Sequence, residues 1–301
     1  MRFVFALALL VPAAANAYEV ASLPARASFS GAGQLCGSTA LRNNLSARFW
    51  WIVAPDDSSD LQIKCEESPE ALVLKVYARG QGLKFTVERN PQSSDDNIAF
   101  LAGSAVARDS EVIAAVLDAF LARNAALADA GNREFAASDW SDTVAHLGVG
   151  LESELSSAPI YFGLYRAHAE LSHPIKAKWY LEAYLRASGL DPAKLTDEQV
   201  RPLLKAEASG AMDSDDADAS FGEYQNLAAA HHWDAAFQKL REIVAAAPWY
   251  EPAYVSLAQS FDANGWKRLT KIWRARAVFV INVNKDTRLG KDIEARLESI
   301  R

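Results

Sequence analysis

The chain has 301 residues, half of them hydrophobic and a tenth aromatic, which supports a sizeable core and excludes global disorder. Its formal charge of −7 excludes a general nucleic-acid binder, whose phosphate contacts need clustered Lys and Arg. A chain of this length allows one or two domains.

Arg2, the apolar run Phe3–Val11 and the small residues Ala15-Asn16-Ala17 have the three parts of a secretory signal. The apolar run is well short of the ~20 residues of a membrane span, and no later run is long enough. Segment 1–17 is expected to be removed before Tyr18, leaving a soluble exported protein without a membrane span, in a bacterial periplasm by preference. The two cysteines, Cys36 and Cys65, are expected to pair in that oxidising compartment. Closing such a loop stabilises by about 3.5 kcal/mol on the chain-entropy model.

Residues 18–108 read as a small α+β domain. A short strand around Val20 and Leu23 is ended by Pro24, and Gly31, Gly33 and Gly37 form a loop. Ser38 is placed to cap a helix over Thr39–Arg48. Phe49–Val53 is an aromatic and β-branched strand. Three runs follow in which Leu61, Ile63, Cys65, then Leu72, Leu74, Val76, then Leu83, Phe85, Val87 alternate with polar or opposite-face residues. Turn chemistry at Ser68-Pro69 and Gly80-Gln81-Gly82 makes this an antiparallel meander, and Ile98–Val106 reads as a helix covering it. The stretches 20–24, 59–63 and 72–87 resemble the TolB-like amino-terminal domain that precedes helical repeats in bacterial proteins.

From Ser110 onward the periodicity is helical. Val112, Val116, Ala119, Phe120 and Leu127 mark a long Ala-rich helix. Residues 109–206 are expected to form a first helical module. It holds a hairpin from about Ala126 that turns at Asp139-Trp140, a second from Pro159, and a short extra helix Asp197–Lys205. The run 207–220, with Asp213, Asp215, Asp216 and Asp218, reads as an acidic connector, and it lacks the Gly and Glu of a calcium loop. Residues 221–301 form a second module with two hairpins and a capping helix carrying Leu289, Ile293, Leu297 and Ile300. Thr143 and Ala177 lie 34 positions apart. The pairs Trp140/Trp233, Leu147/Leu240, Tyr161/Tyr254 and Leu164/Leu257 are each 93 apart, the mark of a duplicated two-hairpin unit. In the last hairpin, Leu269 or Thr270 holds the small-residue place.

This pattern resembles the tetratricopeptide repeat (TPR), with small, large and Pro positions in register. The resemblance implies an all-α solenoid that takes a protein partner on the concave face of its first helices. Carried over by repeat position, the partner-binding residues are Asn132 and Phe135, Phe162 and Arg166, Phe221 and Gln225, and Gln259 and Asp262. Asn132 stands where the family often holds a peptide backbone. Trp140, Trp233, Tyr161 and Tyr254 read as packing between helices.

No nucleophile elbow, phosphate loop or zinc-protease motif is present, and the five His lack ligand spacing. Neither cofactor, metal nor catalysis is expected. The sequence therefore reads as a non-catalytic exported adaptor for envelope proteins. The alternative is a glycan or small-molecule module in the N-terminal domain, suggested by Trp50 and Trp51 beside the Gly-rich loop. Lys267, Lys271 and Arg274, with Arg268 beside them, form a basic helical face that reads as solvated.

Overall fold

The computed structural model describes residues 23–45, 49–53, 59–78, 81–90, 92–152, 157–205 and 214–300. The expected signal segment and the Lys205–Ser214 junction between modules fall wholly or mostly outside these. β1 (Leu23–Ala32), β2 (Phe49–Val53), β3 (Leu61–Glu67), β4 (Ala71–Ala78) and β5 (Gln81–Glu88) form one sheet in the order β2-β1-β3-β4-β5. The expected antiparallel sheet is corrected to a mixed one. β1 runs parallel to both β2 and β3, and only β3-β4 and β4-β5 are antiparallel. Pro24 does not end β1, which continues through Gly31. Pro is tolerated because it sits near the strand's first residue.

The register staggers β2 and β3 along β1. Val53, the last residue of β2, and Leu61, the first of β3, both pair with Ala27, from opposite sides. The end of β2 and the start of β3 therefore lie level on either side of β1, roughly 10 Å or two strand spacings apart. Leu61, Ile63, Cys65, Leu72, Leu74 and Val76 are buried on one face, as the alternation requires. The other face is polar, with Lys64 over the ring of Tyr77 and Lys75 paired with Glu66. Helices α1 (Thr39–Leu45), α2 (Asp95–Arg108) and the first half of α3 (Ser110–Ala137) pack as a single layer with the sheet. Ser38 Oγ accepts from Leu41 N at 3.2 Å, the expected cap. Cys36 and Cys65 form a disulfide between the turn after β1 and the middle of β3. Glu67 fixes the same turn, accepting from Leu35 N at 2.9 Å and from Arg89 at 2.6 Å.

The Ala-rich helix and the first arm of the first hairpin are one continuous helix of 28 residues, α3. Its first half covers the sheet, where Arg123 reaches Asp60 with bonds of 2.5 and 2.6 Å. Its second half turns into α4 (Trp140–Gly150). Three further hairpins follow: α5 (Ala158–Glu170) with α6 (Pro174–Ser188), α8 (Ser214–Ala229) with α9 (Trp233–Ala246), and α10 (Glu251–Ala263) with α11 (Lys267–Lys285). Between the pairs lies α7 (Asp197–Lys205), and α12 (Thr287–Ile300) ends the chain.

All four hairpins turn in the same way. Ser138, Ser172, His231 and Gly265 hold the left-handed conformation, at φ of 61°, 60°, 60° and 72°. The next residue's N–H reaches back five residues in each: Asp139 to Glu134, His173 to His168, His232 to Leu227, Trp266 to Phe261. This double closure satisfies carbonyls that a helix end would leave open. The four turn residues are spaced by 34 within each pair and by 93 between pairs. The small slots Thr143, Ala177, Ala236 and Thr270 keep the same offsets and are all buried, so Thr270 and not Leu269 holds the last one. Leu147 shows why small residues recur: a Cβ on Gly131 or Gly163 would come within 2.8 or 2.5 Å of its side chain.

Two expectations about the second half are corrected. The acidic connector does not reach residue 220, because α8 begins at Ser214. Acidic residues in a first turn complement the helix dipole, Ala217 is fully buried, and Asp218 accepts from Tyr250 Oη at 2.6 Å. The last helix, α12, does not cap the last hairpin but packs on α6, α7 and the Pro192–Lys194 turn of the first module. Leu289 and Ile293, one helical turn apart, supply its buried face. Ion pairs Lys178–Glu294 (2.5 Å), Arg186–Asp286 (3.3 Å) and Arg296–Asp197 frame it. The second module is thereby strapped back onto the first.

Replacing Gly265 with Ala puts a Cβ into a left-handed turn and should lower stability by about 1 kcal/mol, whereas Ser172→Gly should raise it slightly; urea melts of both variants check the shared turn. The strap carries a pH dependence. Glu182 of α6 lies against Gly290 of α12. Burial lifts its carboxyl from the usual 4.5 to about 7, with Lys178 opposing and Glu294 and Asp286 adding. A raised carboxyl pKa means that the folded state favours the proton, so this stability is present below pH 4.5 and lost as pH rises through about 7. The melting temperature of Glu182→Gln should therefore gain on the wild type between pH 5 and pH 8, as read by thermal denaturation.

Candidate functional site

The eight residues expected to bind a partner fall into two separate groups. Asn132 is exposed on α3. Phe135 is half-buried, edge-on to Trp140 (5.8 Å) and Phe162 (6.2 Å), and Phe162 packs in turn on Tyr184 (5.1 Å). Arg166 pairs with Glu170 at 3.5 Å. These four belong to the first module, and its own α7 lies against the same helix, α5. Tyr165 Oη donates to Gln199 O at 2.6 Å, and Arg166, Glu170, Glu198 and Arg201 share one mixed-charge depression. In the second module, Phe221 packs on Tyr224 (5.1 Å) and Tyr250 (5.7 Å). Gln225 and Gln259 are exposed, and Asp262 is held by Arg274 at 2.7 Å. None of the polar or ring contacts these residues make crosses from one group to the other.

The two modules meet around a partly open cavity of about 230 Å³. Mostly second helices wall it. Val144, Gly148 and Val149 come from α4, Trp179 and Tyr180 from α6, Val244 from α9, and Trp273, Phe279 and Val280 from α11. Tyr161 and Tyr254 enter from the first turns of α5 and α10, where Pro159 and Pro252 open the helices. Pro at these positions gives up no helix hydrogen bond. The lining is repeat-related: Tyr161 and Tyr254 stand at the 93-residue offset, and so do Tyr180 and Trp273.

Direct contacts hold the walls together. Tyr161 stacks on Phe279 with centroids 5.2 Å apart and planes within 10°. Trp179 Nε1 donates to Asn284 Oδ1 at 3.0 Å, and Asn284 donates to Trp249 O and Glu251, tying α6 to α10 through α11. Tyr254 Oη donates to Pro248 O at 3.0 Å. Tyr180 stacks on His168 with planes within 4°. Burial, with the nearby Lys176 and His173 adding, pushes the His168 pKa from 6.5 down to about 3, so a neutral imidazole braces the ring. Its Nδ1 lies 3.1 Å from Nδ1 of His173, a contact that needs one nitrogen to donate and the other to accept.

Three charged groups line the cavity. Glu152, just past α4, takes a two-pronged bond from Arg241 of α9, with Nε at 2.8 Å from Oε1 and Nη2 on Oε2. Arg276 of α11 is 6% exposed, with its guanidinium 5.0 Å over the Trp273 ring. Burial pushes its pKa down, and the fields of Tyr161, Tyr254, Glu152 and Tyr180 oppose that. A guanidinium in such a setting stays protonated. Desolvation in turn raises the phenols of Tyr161, Tyr180 and Tyr254, which remain neutral donors.

Sequence reasoning identified Tyr161 and Tyr254 as packing residues, and both are well buried, yet each also lines this cavity. Arg241, Arg276, Glu152, Trp179, Tyr180 and Trp273 were not distinguished. The available signal was aromatic pairs at the repeat offset, since a duplicated unit that faces itself brings equivalent positions together. The side chains of Trp50 and Trp51 lie outside the described residues. The basic face is partly engaged, with Arg274 on Asp262 and Arg268 on Asp118 at 3.0 Å. Among the described residues no helix is long and apolar enough to cross a membrane. Comparison with family models, curated proteins and solved structures gave no significant match.

The Arg241–Glu152 fork joins the two modules and is partly buried. A double-mutant cycle of Arg241→Met and Glu152→Gln, read by chemical denaturation, should return a favourable coupling of about 1–2 kcal/mol, above that of an exposed pair.

Proposed function

We propose that this chain is an exported, non-catalytic adaptor of the TPR type that takes a protein partner on its helical surface. The observation that carries the reading is the recurrence of one left-handed turn, with the same hydrogen bonds, at offsets of 34 and 93 residues. A helical hairpin repeated in this period is a recognition scaffold whose exposed first helices vary to suit a partner. The Cys36–Cys65 disulfide is compatible with the export expected from the signal-like segment. The N-terminal unit, read as TolB-like, belongs to the same proposal.

The partner surface is assigned to the second module. In the first, α7 rests on α5 and Arg166 is committed to an ion pair. In the second, Gln225 of α8 and Gln259 of α10 are exposed, and Val255, one turn before Gln259, is 38% exposed. Apolar surface beside neutral polar groups suits a peptide or helix whose backbone is bound by amides.

The test is co-purification from an exported fraction with the secreted chain as bait. A specific protein should be enriched by the wild type, lost with Gln225→Glu/Gln259→Glu, and retained by Arg166→Glu, all three chains having the same helical circular dichroism. Enrichment that responds to Arg166→Glu but not to the Gln pair would move the surface to the first module, and no enrichment under any growth condition would sink the adaptor reading.

A further inference from the structure

Two phenols stand in the wall of the cavity between the modules with nothing in the protein to bond to. Tyr161 is 5% exposed and Tyr180 is 4% exposed, and both line the cavity. Among the described residues neither Oη has a hydrogen-bond partner, whereas Oη of the neighbouring Tyr254 donates to Pro248 O. Neither oxygen is sealed inside protein, so each opens on the cavity. Both rings are held in place: Tyr161 lies flat on Phe279 and Tyr180 flat on His168. Their hydroxyls are therefore fixed donors with little freedom left to lose on binding. They are also close enough to act on each other's charge. A few placed polar groups in an otherwise apolar wall are what orients a small ligand. The apolar part of this wall includes Val149, Val244, Val280 and the rings of Tyr254 and Trp273.

The charged groups of the lining are engaged within the protein. Arg241 is turned onto both oxygens of Glu152. Arg276 lies over Trp273 and makes a further interaction of its own. An anion entering here would give up its hydration without gaining a free cation, a cost that an uncharged guest does not meet. The volume of about 230 Å³ exceeds the roughly 150 Å³ of a protein cavity that takes benzene, and the open side gives a guest a way in.

We infer that the cavity binds a small uncharged aromatic carbonyl compound, its ring between the apolar walls and its carbonyl oxygen accepting from Tyr161 Oη and Tyr180 Oη. The two lone pairs of a carbonyl oxygen suit two O–H donors. The donors come from α5 and α6 of the first module, and Tyr254 and Trp273 come from α10 and α11 of the second, so the guest touches both modules.

Isothermal titration of the full chain with acetophenone tests the inference, with ethylbenzene as the probe of similar shape that lacks an acceptor and benzoate as the anion. Acetophenone should bind at one site per chain, roughly fivefold or more above ethylbenzene and also above benzoate, the gain expected from hydrogen bonds that leave no donor unmet. Tyr161→Phe and Tyr180→Phe should each lose part of that preference. The double variant should bind acetophenone no better than ethylbenzene, while its affinity for ethylbenzene stays at the wild-type value and shows the cavity to be intact. Equal binding of ketone and hydrocarbon, strongest binding of benzoate, ketone affinity unchanged in the double variant, or no binding of any probe would overturn it. These readouts do not involve the co-purified partner, so failure here leaves the adaptor reading standing, and failure there leaves this one.

Discussion

A pair of helices joined by a tight turn carries more apolar surface than it can bury between its own two arms. Each such hairpin must find a second surface, and the way that demand is met decides the architecture. Here the first pair of hairpins and the second pair turn their later helices toward each other. α4 and α6 face α9 and α11, with Tyr161 stacked on Phe279 and Trp179 bonded to Asn284 across the junction. The junction sets the shape of the cavity, the burial of Arg276 and the destination of α12.

The N-terminal sheet is connected to this arrangement by one rigid element. Because α3 is a single helix, the position of the sheet and the position of the first hairpin are not independent. Arg123 on Asp60 fixes the helix to the start of β3, and the disulfide and Glu67 fix the turn that packs beside β3. The sheet thus serves as a base for the first arm of the helical region. Arg268, at the start of α11, reaches back to Asp118 on the same helix, so α3 is touched from the second module as well.

Much of this was legible in the chain, for identifiable reasons. Period-two alternation gave the strands β3, β4 and β5 because one face of that sheet is buried and the other is polar. The repeat offsets appeared in Trp140/Trp233 and Leu147/Leu240 because the same steric slots recur in each hairpin. Strand direction was not legible: alternation is identical for parallel and antiparallel neighbours, and the staggered pairing of β2 and β3 on Ala27 leaves no local mark. The helical start of α8 was hidden because acidic residues at a helix N-terminus and an acidic linker have the same composition. The cavity was hidden for a deeper reason. Tyr161, Tyr180, Tyr254 and Trp273 satisfy the packing pattern of their own hairpins, and only the mutual orientation of the modules turns them into a shared lining. Arg276 lies on the same helix as Lys271 and Arg274, and nothing in the local charge pattern separates this buried cation from them.

The return of α12 to α6 and α7 changes how the molecule comes apart. In a linear stack each unit is held by its nearest neighbours only, so terminal units fray first and the array melts in steps. In this chain the terminal helix is seated on units near the middle of the sequence, with Ile293 fully buried there. Releasing the C-terminus exposes apolar surface on both modules at once. The contacts of the helical region therefore close on themselves through α12, an arrangement that favours cooperative unfolding over progressive unzipping.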